Sequence, residues 1–338
     1  MTVLADLKKI LGKGRVRVDQ SMGEHTTFGV GGPADFFYEA KNGQELVGAL
    51  KLAKKLDLPI FVLGAGSNLI VSDQGIRGLV IKNSCLEFSF KPFSETFSPS
   101  KINPRFKQKD DSLTSSKDTH RFMVTAGSGW RLAALISRCF KEGLTGLEWF
   151  AGIPASLGGA VYMNIHGADL FLSDFVYRVR VWSKDRDREE YLDYHQQKFA
   201  YDYSVFHEKH LFILSVDLIL YKGDVEKAKA IYKKWLEKKI KIQPQRSSGS
   251  IWQNLSAEEQ KKHNLPTPSI GYLVDKRLRL KGRKIGQARI SIKHTGFIEN
   301  LGGASVADVL KLIGLVEKRA EKELGIKLKR EVELVGEF

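Results

Sequence analysis

The sequence predicts a mixed protein of the α/β or α+β class, on three observations. Segments of helical periodicity alternate with short apolar runs along the whole chain, and no internal repeat is found. Hydrophobic residues make up 42% and charged residues 28%, the balance of a chain that buries a core rather than of a disordered or fibrous one. With 338 residues the chain is long enough for more than one domain, at roughly 150 residues each.

Each element follows from local signals. Asn42 with Glu45 resembles a capping box, and Leu46, Leu50 and Ala53 continue from it as an apolar helix stripe. Residues 59–63 read as a buried strand, followed by Gly64-Ala65-Gly66-Ser67-Asn68 and a second apolar run over 69–71. From 93 to 119 the chain turns polar and poor in apolar residues, which predicts an exposed insertion. A strand is expected over 122–125, and Gly127-Ser128-Gly129 then leads into a helix through Leu132, Leu135 and Ile136. Strands over 177–182 and 211–221 follow, then a linker-like helix over 225–240. A long amphipathic helix over 305–324, a Gly325 stop and a final strand over 326–335 close the chain.

Charge and composition narrow the function. Lys and Arg (54) exceed Asp and Glu (39), for a formal net charge of +15. Nucleic acid is one partner such charge could serve. The basic residues are dispersed, with modest clusters over 233–241 and 276–284, and no nucleic-acid-binding motif accompanies them. Anionic small molecules, diphosphates above all, answer to the same charge, so no nucleic acid is expected. Cys85 and Cys139 can build neither a disulfide framework nor a CxxC metal site. The first nine residues carry acid and base where a secretory leader needs an unbroken apolar stretch. The longest apolar run, 211–221, is broken by Ser215 and Asp217, so no membrane span is expected and the cytoplasm is the expected location.

Two glycine-rich segments stand out. In residues 64–68 the glycines let the backbone approach a ligand and turn its N–H groups inward, as a diphosphate requires. The third glycine and following helix of the dinucleotide fingerprint are missing, and taken alone a tight strand-to-strand turn is the plainer reading. In residues 151–160, Pro154 fixes one φ while Gly152, Gly158 and Gly159 remove side chains, so the segment can lie flat against an extended cofactor. A glycine-rich crossover loop packed on a helix is the alternative. Ser247-Ser248-Gly249-Ser250 has the composition of a cap or turn, and no histidine near Ser250 suggests a hydrolase triad. Glu331 lies in an alternating strand pattern, where acids normally face solvent.

Together these segments resemble one family. Thr26-Thr27-Phe28-Gly29-Val30-Gly31-Gly32-Pro33-Ala34, residues 63–68, Ala151-Gly152-Ile153-Pro154 with Gly158-Gly159-Ala160, Ser248-Gly249-Ser250 with Asn254, Leu280-Lys281-Gly282 and Arg330-Glu331-Val332 occur in register. The order is similar to that of the UDP-N-acetylenolpyruvoylglucosamine reductases, from about residue 21 to the C-terminus without the polar insertion. The resemblance implies an α+β fold: an FAD-binding domain of two α/β subdomains of the vanillyl-alcohol-oxidase type, over 1–83 and 84–222, and a substrate-binding α/β domain over 223–338. It implies FAD held by Leu63, Gly64, Ala65, Gly66, Ser67, Asn68, Gly152, Ile153, Pro154, Ser156, Gly158, Gly159 and Ala160, and NADPH as hydride donor. The substrate implied is UDP-N-acetylglucosamine enolpyruvate, reduced to UDP-N-acetylmuramate for peptidoglycan by a monomer without a metal. Ser250 would give the proton, Glu331 would position the intermediate, and Tyr201, Arg246, Asn254 and Lys281 would bind substrate.

The sequence departs from the family at one chemically important place. In Phe199-Ala200-Tyr201-Asp202-Tyr203-Ser204, Asp202 stands where the family carries an arginine that contacts the developing enolate. That reverses a charge where electrostatic stabilisation is usually the largest catalytic term. Ala155, Gln253, Leu255 and Ile165-His166-Gly167 are smaller departures, and His166 has both a ligand-contact and a structural reading. Two expectations follow: a working reductase in which another cation, Arg246 first and Lys293 next, replaces the arginine, or a related FAD oxidoreductase with altered substrate or oxidase activity.

Overall fold

The computed structural model describes residues 2–93, 121–208 and 210–338, so the 93–119 insertion, apart from Phe93, lies outside the described residues. Two compact units emerge, one of Met1–Arg17, Phe37–Ala65 and Gly78–Lys239, the other of Val18–Phe36, Gly66–Arg77 and Ile240–Phe338. Each is assembled from separate stretches of the chain.

The first unit is organised by an antiparallel sheet in the order Arg188–Asp193, Val176–Ser183, Leu211–Lys222, Arg121–Gly127, Phe88–Pro92, with Leu144–Thr145 on the central strand. Leu211–Lys222 is buried along most of its length, which is why its sequence is nearly continuous apolar rather than alternating. Asp217, which breaks that run, is buried but satisfied: Arg178 Nε and Thr125 Oγ1 each donate to it at 2.6 Å. Val124, Val179, Val216 and Leu218 pack with Leu135 and Leu157 from the helices Leu132–Lys141 and Leu157–Tyr162. The expected flat segment over 152–160 thus ends in a helix, because Ser156 Oγ accepts the Gly159 N–H (3.3 Å) and caps it.

Helix Gly43–Lys55 begins as expected, with Asn42 Oδ1 accepting the Glu45 N–H at 2.9 Å. The reciprocal half of the box is absent, since Glu45 accepts instead from Lys41 N–H and Arg15. A second sheet runs in the order Val16–Ser21, Pro33–Ala40, Ile76–Asn83, Ile60–Leu63. Its last pair is parallel and sets Leu63 beside Lys82. Ile60–Leu63 is half-buried apart from Leu63, less enclosed than its apolar sequence suggests.

In the second unit Leu69–Val71 pairs in parallel with Glu333–Val335, and Lys284–Ile285, Ala288–Ile290 and Ile298–Asn300 form an antiparallel sheet. Helix Val306–Leu324 is capped by Ser305 with Asp308 and ended by Gly325 at φ 67. Its buried stripe, Val309, Leu312, Ile313 and Val316, packs with Trp252, Leu273 and Ala288. The strand expected over 326–335 contracts to Glu333–Val335. Its earlier residues are held individually: Gln253 N–H donates to Lys329 O and Glu331 N–H to Ile251 O, both at 2.9 Å. Among the described residues no helix is long and apolar enough to cross a membrane, and no acidic, histidine or cysteine cluster could hold a metal.

Candidate active site

The turn after Ile60–Leu63 is shaped by steric exclusion. A Cβ on Gly64 would collide with Ser156 Oγ, the cap of helix Leu157–Tyr162. Only glycine lets these two backbones come so close. Lys82, from the neighbouring strand, donates its ammonium to the Gly64 carbonyl. Burial, with the Arg131 charge behind it, pushes that ammonium down to about 8. A half-buried lysine against a glycine turn and a short helix N-terminus is a charge that suits a diphosphate, and no sequence motif had singled Lys82 out. Gly158 sits against Ser128, where a Cβ would meet side chain and carbonyl at 3.0–3.1 Å. Gly152 has φ 77, and Ile153 packs partly buried on the core of this unit. Pro154 is half-buried, whereas Ala155 and Ala160 are buried.

The second half of the turn belongs to the other unit. Gly66 has φ 65 and a Cβ there would strike the His25 carbonyl. Its own carbonyl accepts the Thr27 N–H at 2.9 Å, while Thr27 Oγ1 donates to Ser247 O at 2.7 Å. Thr27, unassigned from sequence, therefore ties the glycine turn to the serine cluster. Asn68 Nδ2 donates to Glu331 O at 3.1 Å, and Glu333 N–H donates back to Asn68 O at 3.0 Å. Because Glu331 N–H is bonded to Ile251 O, the acid is adjacent to Ser250 through the backbone. Gly249, at φ 81, lies where a Cβ would be 3.9 Å from Ser67 O. Ser67, Asn68, Ser250 and Glu331 thus share one neighbourhood. Ser250 Oγ donates to Trp252 O at 2.8 Å, so its proton is held in a fixed direction before any ligand arrives.

Other predicted residues fall elsewhere within their units. Asn254 Oδ1 accepts the Ile270 N–H at 3.1 Å, a role in holding the 268–272 turn. Lys281 is 3.9 Å from Asp275, with 48% of its side chain exposed. Arg246 is exposed and its carbonyl accepts the Asn300 N–H, and Lys293 Nζ reaches Ile240 O at 3.5 Å. In the first unit Asp202 is buried in a turn at φ 50, with its carboxylate 3.6 Å from His166 Nδ1. Tyr201 beside it is exposed and lies 5.1 Å from the His166 ring.

The family model of the C-terminal domain of UDP-N-acetylenolpyruvoylglucosamine reductase matches residues 243–335. A UDP-N-acetylenolpyruvoylglucosamine reductase of Lachnoclostridium phytofermentans is 30% identical over 99% of this chain and 97% of its own length. One of Anoxybacillus flavithermus is 34% identical over 96% and 95%. The crystal structure of the Thermus caldophilus reductase superposes with a TM-score of 0.69 at 28% identity, covering 95% of this chain and all of that one.

Proposed function

The chain belongs to the UDP-N-acetylenolpyruvoylglucosamine reductase family, and from that premise we propose that it reduces UDP-N-acetylglucosamine enolpyruvate to UDP-N-acetylmuramate, with FAD as cofactor and NADPH as hydride donor. The observation that carries this reading is the backbone-locked neighbourhood of Asn68, Ser250 and Glu331.

The Gly64–Ser156 approach and the Lys82 ammonium fit the diphosphate of FAD, which residues 63–68 and 152–160 would hold. Bound there, FAD supplies the relay of a hydride from NADPH to the enol ether. With that hydride on the terminal carbon, the neighbouring carbon carries an enolate conjugated with the substrate carboxylate. Ser250 gives its hydroxyl proton to that carbon: an O–H bond breaks, a C–H bond forms, and the alkoxide regains a proton from solvent. A serine hydroxyl is a weak acid, but an enolate of a carboxylate is basic enough to take its proton when geometry is fixed. Ser250 already directs that hydroxyl through its bond to Trp252 O and must rotate to deliver it. Glu331 would position the intermediate, Lys281 would meet the phosphates of the sugar nucleotide as a point charge, and Tyr201, Arg246 and Asn254 would complete substrate binding.

Asp202 supports a second reading, a flavin oxidoreductase on the same scaffold with another substrate or with oxygen as acceptor, because a buried carboxylate opposes an adjoining enolate. Stopped-flow absorbance separates the two. The reductase predicts an oxidised-flavin spectrum that bleaches anaerobically with NADPH and returns faster with the enolpyruvyl sugar nucleotide than with oxygen. Reoxidation that substrate does not accelerate leaves the second reading, and a colourless protein that FAD cannot reconstitute removes both.

A further inference from the structure

Two like charges close together in a folded chain cost free energy unless an opposite charge joins them. Lys82, near the end of strand Ile76–Asn83, is half-buried and donates its ammonium to the Gly64 carbonyl. Burial first, and the Arg131 charge second, hold that ammonium below its ordinary range. Arg131 is exposed, and among the described residues neither cation has a carboxylate partner within 4 Å. Two cations that repel each other and share no acid mark a place for an anion.

The backbone fixes the pair in place, and every contact involved lies within the first unit. Arg131 bridges Ser156 in an antiparallel pairing, flanked by Leu132 N–H to Ala155 O at 3.0 Å and Leu157 N–H to Trp130 O at 2.7 Å. Ser156 Oγ is in turn the atom that a Cβ on Gly64 would strike. Lys82 and Arg131 therefore flank the Gly64–Ser156 contact from its two sides. A second link closes the arrangement: Asn83, the residue after Lys82, donates from Nδ2 to Ser128 Oγ at 2.7 Å, in the turn that leads to Arg131. Gly129 in that turn lies so close to Asn83 and Cys85 that a Cβ would collide with both. Neither cation belongs to the motifs that carry the family resemblance.

We propose that Lys82 and Arg131 form one two-cation site for a diphosphate, the ammonium meeting one phosphoryl group as a point charge and the guanidinium the other as a fork. A diphosphate spreads its negative charge over two phosphoryl groups, which a single carboxylate cannot do, so it answers both cations at once. The ligand's identity rests on the flavoenzyme reading, in which that diphosphate is the cofactor's. The site itself is a property of the two side chains and the backbone that holds them.

Calorimetry on the full-length chain freed of flavin tests the site, with inorganic pyrophosphate and then FAD as probes. Lys82→Met and Arg131→Gln should each weaken both by about 10- to 100-fold, the worth of a charged hydrogen bond, and Arg131→Lys should retain more affinity than Arg131→Gln. In the ligand-free chain Arg131→Gln should leave the unfolding midpoint unchanged or raise it, because it removes a repulsion. If the wild type binds no pyrophosphate, or either variant binds it with wild-type affinity, the proposal is overturned. So it is if Arg131→Gln lowers the ligand-free midpoint and leaves the FAD affinity alone, which is the signature of a purely structural arginine. Titrating the FAD-loaded chain with UDP-N-acetylmuramate separates the two sources of a diphosphate. Affinity unchanged in the variants assigns the site to the cofactor, and affinity lost there while FAD is retained assigns it to the sugar nucleotide. A chain that binds pyrophosphate through both cations and takes up no FAD sinks the flavoenzyme reading and leaves the site standing.

Discussion

The side-chain amide of Asn68 donates to the backbone carbonyl of Glu331 at 3.1 Å, across 263 residues of chain. That bond and the return donation from Glu333 N–H make the glycine turn and the C-terminal acid parts of one framework. Asn68→Ala is expected to lower unfolding stability by about 0.5–1.5 kcal/mol, the net worth of one such bond. It also lets Glu331 drift, so urea titration should show the loss and the substrate half-reaction should slow more than flavin reduction by NADPH. Equal slowing of both would mean that the bond serves only the fold.

The serine cluster offers an internal control. Ser250→Ala should slow the substrate half-reaction by about 10²–10⁴-fold, the usual contribution of a positioned general acid, and leave flavin reduction intact. Ser248, two residues earlier, is fully buried, and its hydroxyl has no hydrogen-bond partner among the described residues. An unsatisfied buried hydroxyl carries a desolvation penalty of about 1–3 kcal/mol. Ser248→Ala should therefore match or exceed the wild type in unfolding midpoint. A clear drop would reveal a partner for that hydroxyl.

Gly64→Ala tests the cradle directly. The added methyl meets Ser156 Oγ, so the purified variant should retain much less flavin, measured by its visible absorbance per protein. Combining it with Ser156→Gly removes the obstacle and should recover part of the flavin, at the cost of a helix cap worth about 0.5–2 kcal/mol. No recovery would place the damage in the backbone rather than in the contact.

Lys82 makes a prediction about pH. Burial holds its ammonium down at about 8 in the folded chain, below the ordinary 10.5. Between those values the unfolded chain binds more protons, so this group makes stability rise with pH across that window and adds nothing further above it. The wild type should show that rise in chemical denaturation of the flavin-free protein, and Lys82→Met should lack it. The same variant should bind FAD more weakly, because a diphosphate loses its half-buried cation. An identical pH slope in both proteins would count against the burial argument.

Much of the fold was legible in the sequence because its signals are local. The helix stripe after Asn42, the Ser305 cap, the Gly325 stop and the apolar run of the central strand each depend on residues within one or two turns of one another. The glycines at 64 and 66 were legible as a turn for the same reason. The full strand expected over 326–335 was not, since residues 329–332 bond one at a time to 251–253 and only Glu333–Val335 forms a ladder. Lys82 was invisible because a lysine in a strand signals nothing until its neighbours are known.

By itself the sequence determined the class of fold, the positions of most elements and the residue types available for chemistry, all properties of short stretches of chain. Tertiary structure alone decided which of them meet: Thr27 with Ser247, Asn68 with Glu331, and His166 with Asp202. The physical reason is that hydrogen bonds and ion pairs depend on distance in space to within an ångström. Separation along the chain sets no such distance once strands and turns fold back on one another.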